Sequence, residues 1–189
     1  LLTSEADETP YAWTPDGRRL VVTVSEPDGS YPVRLLTIGE SGKLPTVVPG
    51  LVNVRGASVS RDGRWLAFSS DHSGSNEVYV QAFPGPGKAM RVSRAGGRQP
   101  LWSPDGRELF FRLGDEIIAL SFRSEAERFV AGHERVVLKA PMVDNYGWPL
   151  ISPDGKRFLI LERTAEPQPP QLRVVLNWAT EVDQKAAAK

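Results

Sequence analysis

Residues 100–111 read PLWSPDGRELFF, and this stretch decides the fold. A short polar residue, a proline of fixed φ, an aspartate and a glycine free to adopt positive φ together favour a tight hairpin turn. Trp102 ends the strand before the turn. The apolar run that begins at Leu109 is typical of a second strand buried on both faces. The stretch therefore predicts two antiparallel strands joined by a corner that its aspartate caps.

Three other stretches align with this one without gaps. They read YAWTPDGRRLVV at 11–22, ASVSRDGRWLAF at 57–68 and PLISPDGKRFLI at 149–160. Their corner aspartates follow one another at steps of 46, 43 and 49 residues, and a four-stranded propeller blade occupies roughly 40 to 50 residues. We expect four equivalent sheets about a common axis. The large apolar residues just before the four corners should pack between neighbouring sheets: Trp13, Val59, Trp102 and Ile151.

The remaining strands complete an all-β propeller of four-stranded antiparallel blades. The repeats lie near 11–48, 57–93, 100–139 and 149–178, within a propeller domain at 1–180 that a short tail at 181–189 follows. Third strands are predicted at 33–38, 77–83, 116–122 and 172–178, and outer strands at 46–48, 90–93 and 136–139. The fourth repeat has no outer strand of its own, and residues 1–3 are placed to supply it.

Helix competes with strand in two places. The run at 115–131 lacks Gly and Pro, and apolar residues at 118, 122, 126, 129 and 130 fit a helical face, although its position favours a strand for the first half. In the tail, 178, 182 and 186 fit a short helix on the outside.

Composition excludes several classes of function. The 189 residues carry 23 basic and 23 acidic side chains, so the formal net charge is zero, and neither nucleic acid nor an anionic membrane surface is expected as a partner. No cysteine is present, which excludes disulfides, thiolate metal sites and cysteine nucleophiles. No stretch approaches the roughly 18 apolar residues of a membrane span. Because the chain lacks an initiator methionine, we expect it to be part of a longer protein.

No catalytic, cofactor or metal site is predicted. The Gly-x-Ser-x-Gly elbow of serine hydrolases is absent, since residues 56–60 read GASVS. The only histidines, His72 and His133, are 61 residues apart and are interpreted as loop residues. The four corner aspartates should be spread around the ring, each with a structural role in its own turn.

The repeats resemble the WD-repeat-like blades of the TolB-like β-propeller. The stretches at 69–87 and 96–111, and the VVLNW at 174–178, resemble the last blades of the propeller that many bacterial proteins carry behind a serine/threonine kinase domain. That propeller is usually longer than four blades. Two arrangements therefore remain open: the four blades close as a small ring, or they are the last four of a larger one.

The resemblance implies a non-catalytic module for sensing or protein contact, attached to a kinase domain in the full-length protein and lying outside the cytoplasmic membrane. Kinase activity itself is not expected of this chain, because it contains no glycine-rich loop, His-Arg-Asp or Asp-Phe-Gly. The alternative is the accessory propeller of a serine hydrolase, which would orient substrate for a catalytic domain elsewhere. A third interpretation is a fragment that is stable only with further blades.

A protein, a peptide or a small ligand should bind at the face where loops enter the first strands and join second to third strands. Arg55 and Arg98 occupy the same repeat column there. We predict that both point toward the mouth of the axial channel and hold an acidic peptide or a carboxylate, a role for which the guanidinium fork is suited.

Overall fold

The fold is built from β-strands alone in the part of the chain that the computed structural model describes, residues 8–40, 45–51, 53–85, 87–125, 128–143, 148–163 and the backbone of 172–175. The strands are β1 (Glu8–Trp13), β2 (Arg19–Val24), β3 (Val33–Thr37), β4 (Arg55–Val59), β5 (Trp65–Ser70), β6 (Glu77–Ala82), β7 (Met90–Arg91), β8 (Arg98–Trp102), β9 (Glu108–Leu113), β10 (Glu116–Glu125), β11 (Arg128–Lys139), β12 (Leu150–Ile151), β13 (Phe158–Leu161) and β14 (Leu172–Val175).

These strands form four antiparallel sheets, one for each repeat. The first sheet is β1-β2-β3, the second β4-β5-β6-β7, the third β8-β9-β10-β11 and the fourth β12-β13-β14. Each sheet is a meander in which consecutive strands are neighbours. The predicted fold class, the blades of a β-propeller, is confirmed.

All four corners use the same hydrogen bonds. The hydroxyl of Thr14, Ser60, Ser103 or Ser152 donates to the aspartate two residues later, and it accepts the amide of the residue five places on at 2.9 to 3.0 Å. The aspartate accepts the amide two residues after itself at 3.0 to 3.1 Å. The corner glycines adopt φ between 67° and 72°, a region that disfavours side chains. The corner is therefore determined by about six consecutive residues.

The second strands of the second and third repeats, β5 and β9, each lie between two cores. In β5 all six residues are buried, with Leu66 and Phe68 packing toward the first sheet and Trp65 and Ala67 toward the third. A third cluster joins Phe110 of the third sheet to Phe158 of the fourth, with ring centroids 5.1 Å apart. Each fully buried side chain of this size contributes about 1.5 to 3 kcal/mol. The three clusters therefore couple each described blade to the next one along the chain.

Polar contacts also join neighbouring blades. The indole Nε1 of Trp102 donates to the carbonyl of Ser58 at 2.9 Å, and Nε2 of Gln81 donates to that of Val47 at 2.6 Å. Arg112 is 1% exposed, and its guanidinium donates to the carbonyls of Gly114, Met142 and Val143 at 2.5 to 2.9 Å. A buried guanidinium with three carbonyl acceptors therefore connects the third blade to the segment that leads to the fourth.

The helical alternative near 118–130 is wrong. Strands β10 and β11 pair from Glu116 with Lys139 to Glu125 with Arg128, which makes a hairpin longer than the rest of its sheet. Phe122 and Phe129 stack on each other with centroids 4.9 Å apart, and both contact Trp102. The apolar spacing in the sequence reflects this cross-strand cluster rather than a helical face.

Several other predictions need correction. The outer strand at 46–48 is reduced to a single bridge between Arg34 and Thr46, and the outer strand of the third sheet begins at Arg128 rather than at residue 136. His133 lies in β11 and not in a loop. The predictions for residues 1–3, for 176–178 and for a helix in the tail fall outside the described residues.

Trp13 does not pack between sheets as predicted, because its side chain is 55% exposed. Trp102, in the same repeat column, packs onto the sheet that precedes its own. The second sheet covers the opposite face of the first, through Val21, Val33 and Leu35. No sheet in the described part of the chain precedes the first and covers Trp13 in the same way.

Candidate functional site

The innermost strands of all four sheets open into one cavity. It has a volume of about 470 Å³ and is lined by residues from the stretches 9–11, 55–58, 99–101 and 148–150. These are the beginnings of β1, β4, β8 and β12, and the capped corners lie at the other ends of the same strands. The cavity therefore marks the common axis, and we call it the axial cavity.

A bulge at the same place in three of these strands shapes its wall. The pairing register shifts between Pro10 and Ala12, between Arg55 and Ser58 and between Arg98 and Leu101. The positions inside the shifts include Gly56 and Gln99, with φ of 66° and 57°. A bulge turns the strand and re-aims its side chains, and it occurs often beside functional sites.

Gln99 is the unusual member of this wall. It adopts a left-handed conformation that costs an ordinary residue about 1 kcal/mol or more. Its side-chain Oε1 is buried and accepts no hydrogen bond from the described residues. The wall of the axial cavity thus includes a residue on a strained backbone whose amide oxygen is buried without a partner among the described residues.

Apolar surface reaches solvent at the same cavity. Trp148 is 42% exposed and Leu150 is 56% exposed, although both are large apolar side chains. The rings of Trp148 and Tyr11 lie 5.6 Å apart at an interplanar angle of 56°. Trp148 also lies against Gly56, where a Cβ would stand 2.6 Å from Cη2 of the indole. One indole from the fourth blade therefore contacts both the first and the second.

Arg55 and Arg98 hold equivalent places in their blades. Each begins a first strand, and they pair with Ser69 and Arg112 respectively. Arg55 is exposed and lines the axial cavity, whereas Arg98 lines a separate cavity of about 260 Å³ with Asn76 and Leu113. The structure does not bring the two side chains to one cavity.

Arg55 also lines a second cavity of about 220 Å³ beside the axial one. Its other lining residues are Thr9, Tyr11, Thr23, Tyr31 and Val54. We call this the Arg55 cavity. Sequence reasoning missed Tyr31 and Trp148 as individual site residues. The sequence does contain a signal that could have identified Trp148. It lies one position before the aligned repeat stretch, in the same column as Gly56 and Gln99.

The corner aspartates take no part in either cavity. A hydrogen bond from Thr14 and the amide of Arg18 lower the pKa of Asp16, and Ser152 and the amide of Lys156 do the same for Asp154. For Asp105, partial burial opposes the shift, but hydrogen bonds from Ser103 and the amide of Arg107 leave the pKa below its ordinary value. Each carboxylate is held in its own turn, which confirms their structural role.

The described residues contain neither a candidate metal cluster nor a helix that could span a membrane. Among the described residues, no three histidine, aspartate or glutamate side chains are grouped so that they could hold a metal ion. His72 and His133 are both exposed. The same residues contain no helix long and apolar enough to cross a membrane.

Solved structures identify the fold. TolB of Acinetobacter baumannii superposes with a TM-score of 0.63 at 18% identity, over 93% of this chain and 42% of TolB. The fold is a TolB-like β-propeller. A functionally unknown protein of Desulfotomaculum acetoxidans gives 0.53 at 15% identity over 93% of this chain and 57% of its own. The β-propeller domain of the trilobed protease from Pyrococcus furiosus gives 0.50 at 14%, over 94% and 73%.

No protein-family model and no curated protein matches the chain. The chain spans less than half the length of TolB. These likenesses establish the fold of the chain, a TolB-like propeller, and at this level of identity they establish the fold alone.

Proposed function

We propose that this chain is a non-catalytic interaction module that binds a peptide or an extended segment of a protein in the axial cavity. The observation that carries the proposal is the convergence of four inner strands on one cavity with exposed Trp148 and Leu150 at its wall. Aromatic side chains in concave surfaces are the usual anchors of protein contacts.

The axial cavity is large enough to hold side chains of a bound peptide. Its volume of about 470 Å³ falls within the range of roughly 300 to 1,000 Å³ typical of ligand sites. The apolar wall, with exposed Trp148 and Leu150, offers contact for the side chains of a ligand. A peptide can supply such side chains along one extended segment.

The resemblance to kinase-linked propellers supports a finer proposal. We place this module behind a serine/threonine kinase domain, on the outer side of the cytoplasmic membrane, where ligand binding in the cavity would act as a signal. The sequence of the full-length gene tests this placement. A kinase domain upstream would support it, and a Gly-x-Ser-x-Gly domain in the same protein would instead support an accessory role in a hydrolase.

Selection from a library of displayed peptides tests binding itself. Peptides enriched on the immobilised protein are measured by calorimetry against the wild type and Trp148→Ala. We expect affinity to fall at least tenfold in Trp148→Ala. Trp13→Ala is the matched control, because Trp13 is an exposed tryptophan, as Trp148 is, but lines neither cavity, and the variant should bind as the wild type does.

Two results would overturn the proposal. The first is a selection that enriches no peptide while a known peptide-binding domain enriches its own in parallel. The second is a set of peptides whose affinity is equal for both tryptophan variants. Thermal unfolding of both variants shows whether a loss of affinity reflects a loss of fold.

A further inference from the structure

The Arg55 cavity adjoins the axial cavity. Thr9, Tyr11 and Arg55 line both of them. A ligand whose apolar part lies against Trp148 can therefore extend a polar group past Tyr11. The chemistry of the smaller cavity decides which polar group that would be.

The charge of this cavity is unbalanced. Among the described residues that line it, Arg55 is the only charged one. The guanidinium forms no ion pair or hydrogen bond with any side chain or carbonyl of the described residues, although the Arg55 carbonyl accepts a hydrogen bond from Ser69. A guanidinium provides five N–H donors in a planar fork that matches a carboxylate.

The acidic groups on the neighbouring loop are already engaged. The loop between β2 and β3 carries Tyr31 into the cavity, and it also carries Glu26 and Asp28. Arg34 binds the carboxylate of Glu26, and Asp28 accepts the amide of Ser30 at 2.9 Å. Neither carboxylate lines the cavity.

Hydroxyl groups complete the lining. Four of the lining residues carry one: Thr9, Tyr11, Thr23 and Tyr31. Hydroxyls can donate to an anion while a guanidinium balances its charge. One guanidinium balances one negative charge, which favours a carboxylate over a doubly charged phosphate.

We infer that the Arg55 cavity binds a carboxylate of the same ligand whose apolar part occupies the axial cavity. The inference rests on the proposed function and narrows its ligand to a segment with a carboxylate next to an apolar residue. That carboxylate is either the carboxyl terminus of the partner or an aspartate or glutamate side chain. Arg98, in its separate cavity, takes no part.

Three short probes test this inference by NMR titration of the isotope-labelled protein. They are N-acetyl-Ala-Pro-Leu with a free carboxylate, the same peptide as its carboxamide, and N-acetyl-Asp-Pro-Leu carboxamide. We expect the free acid to bind about tenfold more tightly than its amide, because a charge-assisted hydrogen bond is lost in the amide. Binding of the aspartyl probe would assign a side-chain source, and binding of the free acid a terminal one.

Substitutions then assign the effect to one arginine. Arg55→Gln should abolish the preference for the acid, and Arg55→Lys should keep part of it because the charge remains. Arg98→Gln is the matched control from the same repeat column and should keep the full preference.

Three results would overturn the inference. The first is equal binding of acid and amide to the wild type, and the second is an equal loss in the Arg55 and Arg98 variants. The third is no binding of either acid at millimolar concentration.

Failure of this inference is separable from failure of the proposed function. If selected peptides still depend on Trp148 but not on Arg55, the interaction module stands and the carboxylate site does not.

Discussion

The indole of Trp148 lies on the bare backbone of Gly56, so close that a Cβ at position 56 would stand 2.6 Å from Cη2 and 2.7 Å from Cζ3 of the ring. The contact joins the entry to the fourth blade's inner strand to the bulge of the second. It exists because Gly56 has no side chain and adopts a φ of 66°. The wall of the axial cavity depends on this pair.

Gly56→Ala should therefore destabilise the protein in two ways. The positive φ costs an alanine about 1 to 2 kcal/mol, and the overlap with Trp148 adds about 1 to 3 kcal/mol. Gly17→Ala is the matched control, since Gly17 has a φ of 67° with no atom within 4 Å of its Cβ position. Urea unfolding should show a larger loss at position 56. In a Trp148→Ala background, Gly56→Ala should add only the backbone cost. Equal losses at 17 and 56 in the wild-type background would argue against the contact.

Arg112 should be among the most important polar residues for stability. Arg112→Met keeps much of the packing but leaves the carbonyls of Gly114, Met142 and Val143 without their donor, so we expect a loss of about 3 kcal/mol or more in the free energy of unfolding. Arg135→Met is the comparison, because that guanidinium pairs with Glu108 at the surface and should cost less than about 1 kcal/mol. Similar losses in both variants would show that Arg112 does not act as a buried link.

The corner hydroxyl can be tested at Ser103. Ser103→Ala removes one donor to Asp105 and one acceptor for the amides of Arg107 and Glu108, with an expected cost of about 1 to 2 kcal/mol. Ser103→Thr should cost much less, since Thr14 makes the equivalent bonds in the first repeat. Thermal unfolding distinguishes the two, and the prediction fails if alanine and threonine behave alike.

The corner aspartates should make stability depend on pH in the acid range. Hydrogen bonds hold the pKa of Asp16 and Asp154 below the ordinary value of 3.8. Asp105 shows the same direction, because its hydrogen bonds outweigh the opposing effect of burial. A lowered pKa in the folded state contributes stability that is complete above the unfolded pKa and is lost as pH falls through the folded one. We therefore expect stability to decline as pH falls below about 4.

Asp105→Asn should be less stable than the wild type at neutral pH and should lose less on acidification. Chemical unfolding at a series of pH values measures both slopes. Parallel pH profiles for wild type and variant would exclude a contribution from this carboxylate.

Local chemistry explains why the corners could be predicted. Ser103, Asp105 and Gly106 complete their hydrogen bonds within six residues of one another, so their spacing contains the information. The burial of the whole of β5 could also be predicted from its continuous apolar run, because a strand between two sheets needs apolar residues on both faces. The spacing around Phe122 and Phe129 wrongly suggested a helix, because these two residues contact each other across a hairpin and not along one helical face.

The candidate site could be predicted only in part. Arg55 and Arg98 share a column, a register position and a bulge, yet they line different cavities. Trp13 and Trp102 also share a column, but only Trp102 is covered by a preceding sheet. The sequence repeat shows which residues occupy equivalent positions in different blades. It does not show which sheet packs against each blade.

The sequence by itself determined the number of repeats, the capped corners and the buried second strands, because each depends on residues close together in the chain. Tertiary structure alone decided that Trp148 rests on Gly56, that Gln99 Oε1 is buried at the axis and that Arg55 lies beside a hydroxyl-lined cavity. Those relationships join residues up to 92 positions apart, and they depend on how far each sheet is turned about the axis relative to the next. Packing between whole sheets sets that angle, and no short stretch of sequence contains it.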